Sequence, residues 1–173
     1  YGGDFPADYE KLLSLPGLGH YTAGAVSSIA FGIPMPAVDG NVLRVLSRVT
    51  ASYEDVLKQS VKTAMEAEVK KIIPADRAGD FNQALIEIGA IVCVPNGKAK
   101  CEICPLAFLC EAYKKGIVDE LPKKKVKRER RIEDRTILIL KEGDRVGIRK
   151  RPSKGLLAGL YELPGLEGHL SEE

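Results

Sequence analysis

The sequence predicts a mainly α-helical unit followed by the first strands of a second, β-containing unit. Apolar residues recur at helical spacing in several segments before residue 93, and the period changes to that of β-strands beyond residue 131. A basic run, KKKVKRERR, separates the two patterns. With 45% hydrophobic and 29% charged residues, the composition is ordinary for a globular protein and too apolar for a disordered one.

Prolines bound the first two predicted helices. Residues 8–13 form a short helical pattern that must stop before Pro16, because the residue preceding a proline disfavours helix. Residues 21–31 predict a helix of small residues, a composition that suits close packing against neighbours. The segment GIPMPAVDG must then be irregular, because Pro34 and Pro36 lack a backbone N–H.

Three helical patterns follow, and a shorter one closes the unit. The first begins at Asp39 or Gly40 and runs through NVLRVLSRVTA, with one apolar face: Val42, Val45, Leu46 and Val49. The others cover residues 59–72 and 80–93, the second with an apolar stripe: Phe81, Leu85, Ile88 and Val92. The segment LAFLCEAYKKG predicts a terminal helix that Gly116 stops, and RTILILKEGDRVGIRKR predicts two β-strands around a Gly-Asp turn.

The charge is unevenly distributed. Residues 93–131 contain eleven Lys/Arg and five Asp/Glu, although the net charge of the chain is only +2. Such a basic region suits contact with a polyanion such as DNA, and a solvated linker explains it equally well. No apolar run reaches the roughly 18–20 residues that a membrane span needs, and no secretory signal pattern is present. We therefore expect a cytoplasmic protein without a membrane partner.

Residues 15–19, LPGLG, carry two glycines directly before a predicted helix. Glycine lets a ligand approach the backbone closely, and exposed N–H groups at a helix start favour phosphate. A plain turn between helices would also explain the glycines. A helix, LPGLG and a second helix of small residues together form the helix-hairpin-helix pattern, which binds DNA phosphates without reading sequence.

Asp39 lies where the next helix begins, in PAVDGNV. Aspartate is a favoured N-cap, worth about 1 kcal/mol, and a cap needs no further role. Backbone donors and the helix dipole also favour the ionised carboxylate. A fixed carboxylate suits stabilisation of, or attack on, the oxocarbenium-like sugar that forms when a C1′–N bond is cleaved.

All four cysteines fall within residues 93–110. Intracellular proteins seldom use cysteines as disulfides, so a metal site is the better interpretation. Four thiolates suit either a tetrahedral zinc ion or a [4Fe–4S] cluster. Zinc sites usually pair two close Cys-x-x-Cys knuckles, whereas here only Cys101 and Cys104 are that close.

Three features in this order, LPGLGHYTAGAV, AVDGNVLRVLSR and the cysteine loop, resemble the helix-hairpin-helix, Gly/Pro, Asp base-excision DNA glycosylases, to which endonuclease III belongs. Within that superfamily, YGGDFP, GAVSSIAFG, FNQALIEIGAIVC and GLLAGLYELPG are most similar to the A/G-specific adenine glycosylases, the MutY family. The resemblance implies a DNA repair enzyme with a [4Fe–4S] cluster, and we expect a monomer by default. Its expected partner is double-stranded DNA in which adenine, mispaired with 8-oxoguanine or guanine, is flipped out and removed.

The resemblance assigns roles to residues that match the family's motifs. Asp39 is expected to stabilise the oxocarbenium-like sugar, and Asn41 to orient that region. The expected contacts with the DNA backbone are Gly17, Leu18, Gly19, His20 and Thr22 of the hairpin and Lys98 and Lys100 of the cysteine loop. The expected cluster ligands are Cys93, Cys101, Cys104 and Cys110. Seven residues separate the first two cysteines, where the family pattern has six.

Tyr21 belongs to the expected catalytic set because of what it replaces. Bifunctional relatives carry a lysine at this position, which attacks the sugar as an amine and forms a Schiff base. A tyrosine cannot do so. We therefore expect a monofunctional glycosylase in which water completes the reaction. A core tyrosine at a helix start would equally lack the amine.

The resemblance also implies a division of the chain. Residues 1–33 would end a helical barrel domain, 34–120 would form the iron–sulfur domain, 121–131 would be a basic linker, and 132–173 would begin a Nudix-like α+β domain. In the family, that last domain recognises 8-oxoguanine, and a glutamate near the N-terminus protonates adenine N7. That glutamate would precede Tyr1, so we expect this chain to be a fragment that is inactive alone.

Three alternative functions remain open on the sequence. An endonuclease III-like pyrimidine glycosylase with lyase activity would share most of these motifs, although Tyr21 argues against it. A non-catalytic iron–sulfur module could use the hairpin for DNA binding alone. A Nudix-type hydrolase would need an acidic metal-binding signature that the chain lacks.

Overall fold

The computed structural model describes residues 1–124 and 132–171, and the chain divides into two compact units, Tyr1–Val126 and Lys127–Glu173. The first unit is helical and the second contains short strands. A mainly α-helical unit followed by strands is therefore confirmed. Most of the predicted basic linker lies outside the described residues, and the predicted boundary at residue 33 stays a prediction.

Two helices flank the glycine hairpin: α1, Tyr9–Leu13, and α2, His20–Ala25. The Asp8 carboxylate caps α1 by accepting a hydrogen bond from the Lys11 backbone N–H at 2.9 Å. Helix α2 continues as a π-helical turn, Val26–Ala30. The predicted helix over residues 21–31 is thus present, but its winding changes near the middle.

Helix α3, Gly40–Val49, packs in the core of the first unit. Its predicted apolar face is confirmed, because Val42 and Val45 are buried and the rest of the face packs against the core. Two arginines of the same helix, Arg44 and Arg48, are also buried. The apolar pattern did not predict that burial.

Helices α4 and α5 complete the packing around α3. Helix α4, Gln59–Ile72, has the predicted bounds. Helix α5, Ala78–Glu87, starts two residues before its predicted start and continues as a second π-helical turn, Ile88–Val92. The predicted stripe faces inward, since Leu85 is buried and Phe81 packs against the same core.

The predicted helix over LAFLCEAYKKG is wrong in its first half. Residues 105–109 form turns, and helix α6 covers only Glu111–Lys114. Cys110 has extended backbone angles (φ −77°, ψ 104°), which interrupt helical winding before α6. Gly116, at φ +68°, ends α6 as predicted. Short 3₁₀ turns lie on either side, at Cys101–Ile103 and Val118–Glu120.

The second unit pairs short antiparallel strands in three two-stranded ladders: β1 (Arg135–Ile137) with β6 (Gly165–Glu167), β2 (Lys141–Glu142) with β3 (Arg145–Val146), and β4 (Arg149–Lys150) with β5 (Tyr161–Glu162). The predicted Gly-Asp turn joins β2 to β3. Each of the two predicted strands is divided into two short ones, because the outer halves pair with residues 161–167 rather than with each other. None of the helices in the described ranges is both long enough and apolar enough to cross a membrane.

Candidate DNA-binding and catalytic site

Asp39 caps α3 through one oxygen of its carboxylate and binds a side chain of α3 through the other. Oδ1 accepts hydrogen bonds from the backbone N–H groups of Asn41 and Val42, at 2.9 and 2.8 Å. Oδ2 accepts a hydrogen bond from the side-chain amide of Asn41 at 2.9 Å. Both Asp39 and Asn41 are half-buried. Three N–H donors therefore hold the carboxylate in one orientation, and two predicted site residues are in direct contact.

Arg44 extends this network toward the cysteine loop. Its guanidinium donates to Asn41 Oδ1 at 2.9 Å, to the Gly89 carbonyl at 2.7 Å and to the Cys93 carbonyl at 2.8 Å. Burial lowers the pKa of Arg44, the nearby Cys93 and Asp39 raise it, and the Arg48 charge lowers it. An arginine remains charged at neutral pH despite such shifts. Two side chains thus connect Asp39 to the backbone of the first cysteine.

Close approach of two helices makes this network possible. A Cβ at Gly89 would lie 2.6 Å from the Asn41 Cβ, a distance that real side chains do not reach. Glycine at this position lets the π-helical turn after α5 lie directly against the first turn of α3, where Gly89 offers its carbonyl to Arg44.

Arg48 links the first cysteine to the segment that follows α6. Its guanidinium lies 3.1 Å from Cys93 Sγ and donates to the carbonyls of Val118 and Leu121 at 3.1 and 2.9 Å. The residue is only 5% exposed. A buried charge needs such partners, so Arg48 fastens two segments that are remote in sequence.

All four cysteines line one cavity next to α3. Burial raises the pKa of the Cys101 and Cys104 thiols, and the negative charges of neighbouring thiolates raise it as well. Within the described ranges, no three His, Cys, Asp or Glu side chains are arranged to hold a single metal ion. Four sulfur donors around a shared cavity fit an iron–sulfur cluster better than a single ion. The residues that would hold it are Cys93, Cys101, Cys104 and Cys110.

The hairpin exposes most of its predicted binding residues, and Leu18 is half-buried. Gly17 has a φ of +86°, a conformation that favours glycine, and Gly19 directly precedes α2. The first turn of α2 is exposed, with Tyr21 at 41%. Tyr9 Oη lies 2.8 Å from His20 Nδ1, which fixes the orientation of the imidazole. Within the described part of the chain, the Tyr21 hydroxyl makes no hydrogen bond.

Lys98 and Lys100 lie on the exposed surface of the cysteine loop. Neither ammonium group forms an ion pair with a described residue, so both charges are available to another partner. The structure thus brings Asp39, Asn41 and the backbone of Cys93 into one network, but it shows no contact between that network and these lysines.

Sequence reasoning missed four residues that the structure places around the site. They are Tyr9, Arg44, Arg48 and Asn82. Three of them could have been identified from the sequence, because a polar residue on an otherwise apolar helical face must find buried partners. These are Arg44 and Arg48 on α3, and Asn82 between Ala78 and Leu85 on α5. Tyr9 carried no such signal.

Comparison with known proteins agrees with this geometry. Residues 1–29 match the helix-hairpin-helix motif. Curated proteins named adenine DNA glycosylase are similar to the chain in Schizosaccharomyces pombe (35% identity over 88% of this chain and 42% of the relative), Arabidopsis thaliana (35%, 94% and 28%) and Homo sapiens (32%, 99% and 40%). The chain therefore spans less than half of the length of these relatives.

Solved structures show the same fold. A thermostable thymine-DNA glycosylase matches 66% of this chain and 52% of its own, at 36% identity and a TM-score of 0.55. Endonuclease III in a non-covalent complex with DNA matches 68% of this chain and 52% of its own, at the same identity and TM-score. Over the region that it shares with the curated relatives, the chain is a homologue of these adenine DNA glycosylases.

Proposed function

We propose that the protein is a monofunctional DNA repair glycosylase that hydrolyses the N-glycosidic bond of adenine opposite 8-oxoguanine or guanine in double-stranded DNA. The observation that carries this proposal is the Asp39 carboxylate, held by three N–H donors at the start of α3. A carboxylate fixed in this way can face a developing positive charge without reorganising.

Asp39 acts on the sugar. As the bond between C1′ and adenine N9 breaks, the bonding electrons leave with the base and positive charge develops on the sugar. The negative carboxylate stabilises that charge, and water then adds to C1′ and loses a proton, which leaves an abasic site. Tyr21 offers no amine for a Schiff base. We assign no residue of this chain as the acid that protonates the leaving adenine.

The hairpin and the cysteine loop hold the DNA backbone in this proposal. Gly17 and Gly19 present backbone N–H groups, whereas the Leu18 N–H closes the turn by donating to the Leu15 carbonyl at 3.2 Å. His20 and Thr22 lie exposed on the first turn of α2. The ammonium groups of Lys98 and Lys100, which form no ion pair with a described residue, add attraction for phosphate. The protein would bind as a monomer in the cytoplasm, on the chromosomal DNA.

We also propose that the cysteine cavity holds a [4Fe–4S] cluster, bound by Cys93, Cys101, Cys104 and Cys110. When bound, such a cluster pins the basic loop in place. Purified protein should contain iron and acid-labile sulfide in equal amounts, and Cys104→Ser should lower both. Zinc in place of iron, in protein purified without oxygen, would contradict this assignment.

A second candidate function is an endonuclease III-like pyrimidine glycosylase with lyase activity. The observation in its favour is the likeness to solved structures of endonuclease III and of a thymine-DNA glycosylase. Borohydride treatment separates the two functions, because only an amine nucleophile leaves a trapped protein–DNA adduct. A Nudix-like role of residues 132–173 in recognising 8-oxoguanine likewise remains a proposal.

Replacement of Asp39 tests the proposed function in the full-length protein. Asparagine is as good an N-cap as aspartate, so Asp39→Asn keeps the start of α3 and removes only the negative charge. Single-turnover release of adenine from an 8-oxoguanine·adenine duplex should fall by a factor on the order of 10³, whereas DNA affinity should change little.

Asp55→Asn is the matched control, because Asp55 is also half-buried and also accepts a backbone hydrogen bond, from the Leu57 N–H at 3.0 Å, but lies outside the Asp39 network. It should release adenine at the wild-type rate. Equal rates for Asp39→Asn and wild type would refute a catalytic Asp39. Binding of the duplex without release of any base by wild-type protein would favour a non-catalytic DNA-binding module.

A further inference from the structure

The loop before Asp39 is held in place by a side chain from another part of the chain. Residues 32–38 contain two prolines, Pro34 and Pro36, which cannot donate backbone hydrogen bonds. Ala37 and Val38, the last two residues before Asp39, are nonetheless buried, at 1% and 8% exposure. Buried backbone groups need partners, and regular secondary structure does not supply them here.

The side chain of Asn82 on α5 supplies those partners. Its Oδ1 accepts a hydrogen bond from the Ala37 backbone N–H at 3.1 Å, and its Nδ2 donates to the Met35 carbonyl at 2.9 Å. The second Nδ2 hydrogen is donated to Ser28 Oγ at 2.8 Å. Asn82 is 1% exposed. One buried amide thus pairs with the loop on both sides of Pro36, as a neighbouring strand would.

The same loop rests on the helix that follows the hairpin. The Pro36 carbonyl approaches Gly24 of α2 so closely that a Cβ at residue 24 would overlap it. Ser28 Oγ, which accepts from Asn82, donates in turn to the Gly24 carbonyl at 2.8 Å. The buried Asn82 amide, through its three hydrogen bonds, therefore joins α5 to both the loop and the helix that follows the hairpin.

We propose that Asn82 is a positioning residue for Asp39, and the proposal rests on the proposed base-release function. The α3 cap fixes the carboxylate relative to the helix that follows Asp39. It does not fix the chain that enters Asp39. Asn82 fixes that chain against the hairpin helix, so the carboxylate and the element that holds the DNA keep a constant separation. A displacement of about 1 Å at such a group can cost on the order of 10² in rate.

Two substitutions in the full-length protein test how strongly the Asn82 hydrogen bonds affect adenine release. Asn82→Leu keeps the side-chain size and removes all three hydrogen bonds, whereas Asn82→Asp keeps the acceptor for the Ala37 N–H. The single-turnover rate of adenine release, per active site, should fall by about 10- to 100-fold in Asn82→Leu and less in Asn82→Asp. The Kd for the same duplex should change by less than about 3-fold in both, because phosphate contacts lie on the hairpin.

Ser47→Ala is the matched control for lost stability. Ser47 is fully buried and donates to the Ser52 carbonyl at 3.0 Å, but it does not touch the loop. This variant should unfold at a lower temperature and release adenine at the wild-type rate. If the Asn82 variants also react at the wild-type rate once corrected for folded protein, Asn82 is structural only and the proposal is overturned.

Amide hydrogen exchange separates this proposal from the proposed function. Asn82→Leu, unlike Ser47→Ala, should speed exchange at Ala37 and at the Asn41 and Val42 N–H groups that Asp39 caps. If wild-type protein releases no adenine but exchange changes in this way, the function fails and the positioning role stands. Unchanged exchange at Asn41 and Val42 would overturn the positioning role whatever the activity.

Discussion

At the scale of the residue, Gly24 shows that close packing can require the absence of a side chain. The Pro36 carbonyl occupies the space that a Cβ at position 24 would need. The added Cβ would be bonded directly to the backbone, and the Pro36 carbonyl is itself backbone. No flexible side chain can therefore move aside to relieve the overlap. Gly24→Ala should therefore destabilise the protein by about 1–3 kcal/mol, measured by urea unfolding, and it should slow adenine release because the loop that leads to Asp39 must shift.

Gly40→Ala is the matched comparison for stability. A Cβ at Gly40 would meet no atom within 4 Å, and the residue lies at the first position of α3. Alanine there should change the free energy of unfolding by no more than about 1 kcal/mol, and in the stabilising direction, because it restricts the unfolded chain. Equal destabilisation by both substitutions would show that close packing at Gly24 is not the cause.

At the scale of the element, Arg48 is the contact that joins α3, the first cysteine and the segment after α6. Arg48→Met keeps much of the side-chain length, leaves the Leu121 carbonyl without its Arg48 donor and leaves the Val118 carbonyl with only the Leu121 N–H. The expected loss is about 2–4 kcal/mol in the free energy of unfolding. Far-UV circular dichroism during urea unfolding measures it.

The surface offers a control of the same residue type. Arg77 pairs with Asp80 at 2.9 Å, but the two side chains are 71% and 64% exposed. Exposed ion pairs contribute little, so Arg77→Met should cost no more than about 0.5 kcal/mol. A comparable loss in both variants would mean that Arg48 contributes only as a surface charge does.

For the molecule as a whole, charge rather than shape should set the affinity for DNA. Lys98 and Lys100 are exposed and unpaired among the described residues, so replacing both with alanine should weaken binding to any duplex alike. The slope of log Kobs against log salt should become shallower by about 2, because each phosphate contact contributes about 0.9. Fluorescence anisotropy at several salt concentrations measures this slope.

Lys70 and Lys71 provide the charge-matched comparison. They lie exposed in the last turn of α4, far along the sequence from both the hairpin and the cysteine loop. Their double alanine variant removes the same net charge and should leave the slope within about 0.5 of wild type. An equal change in both double variants would indicate general charge attraction without a defined binding surface.

Much of this molecule could be read from its sequence because local rules governed it. Proline, glycine and capping aspartate set the ends of the helices, and the 3.6-residue period identified the inner face of α3. Asp39 and Asn41 were predicted together because they lie two residues apart in one motif, and the structure places them in contact. Arg44, Arg48 and Asn82 escaped because most of their partners lie 45 or more residues away. The terminal helix was mispredicted because the cysteine loop, rather than local propensity, decides the path of residues 105–109.

The two π-helical turns limit which changes of length the chain can accept. A π-helical turn holds an extra residue, and each residue of a helix turns the chain by about 100°. Deletion of Gln83 from the regular part of α5 should rotate Cys93 by about 100° away from the other three cysteines, with loss of bound metal as the readout. Deletion of Ala90 from Ile88–Val92 should be absorbed, because it returns the turn to regular α-helix with little net rotation. The exposed loop after Cys93 should likewise accommodate an added residue, because Gly97 turns it at φ +76° in open space. Insertions are thus expected to collect beyond the first cysteine and not before it.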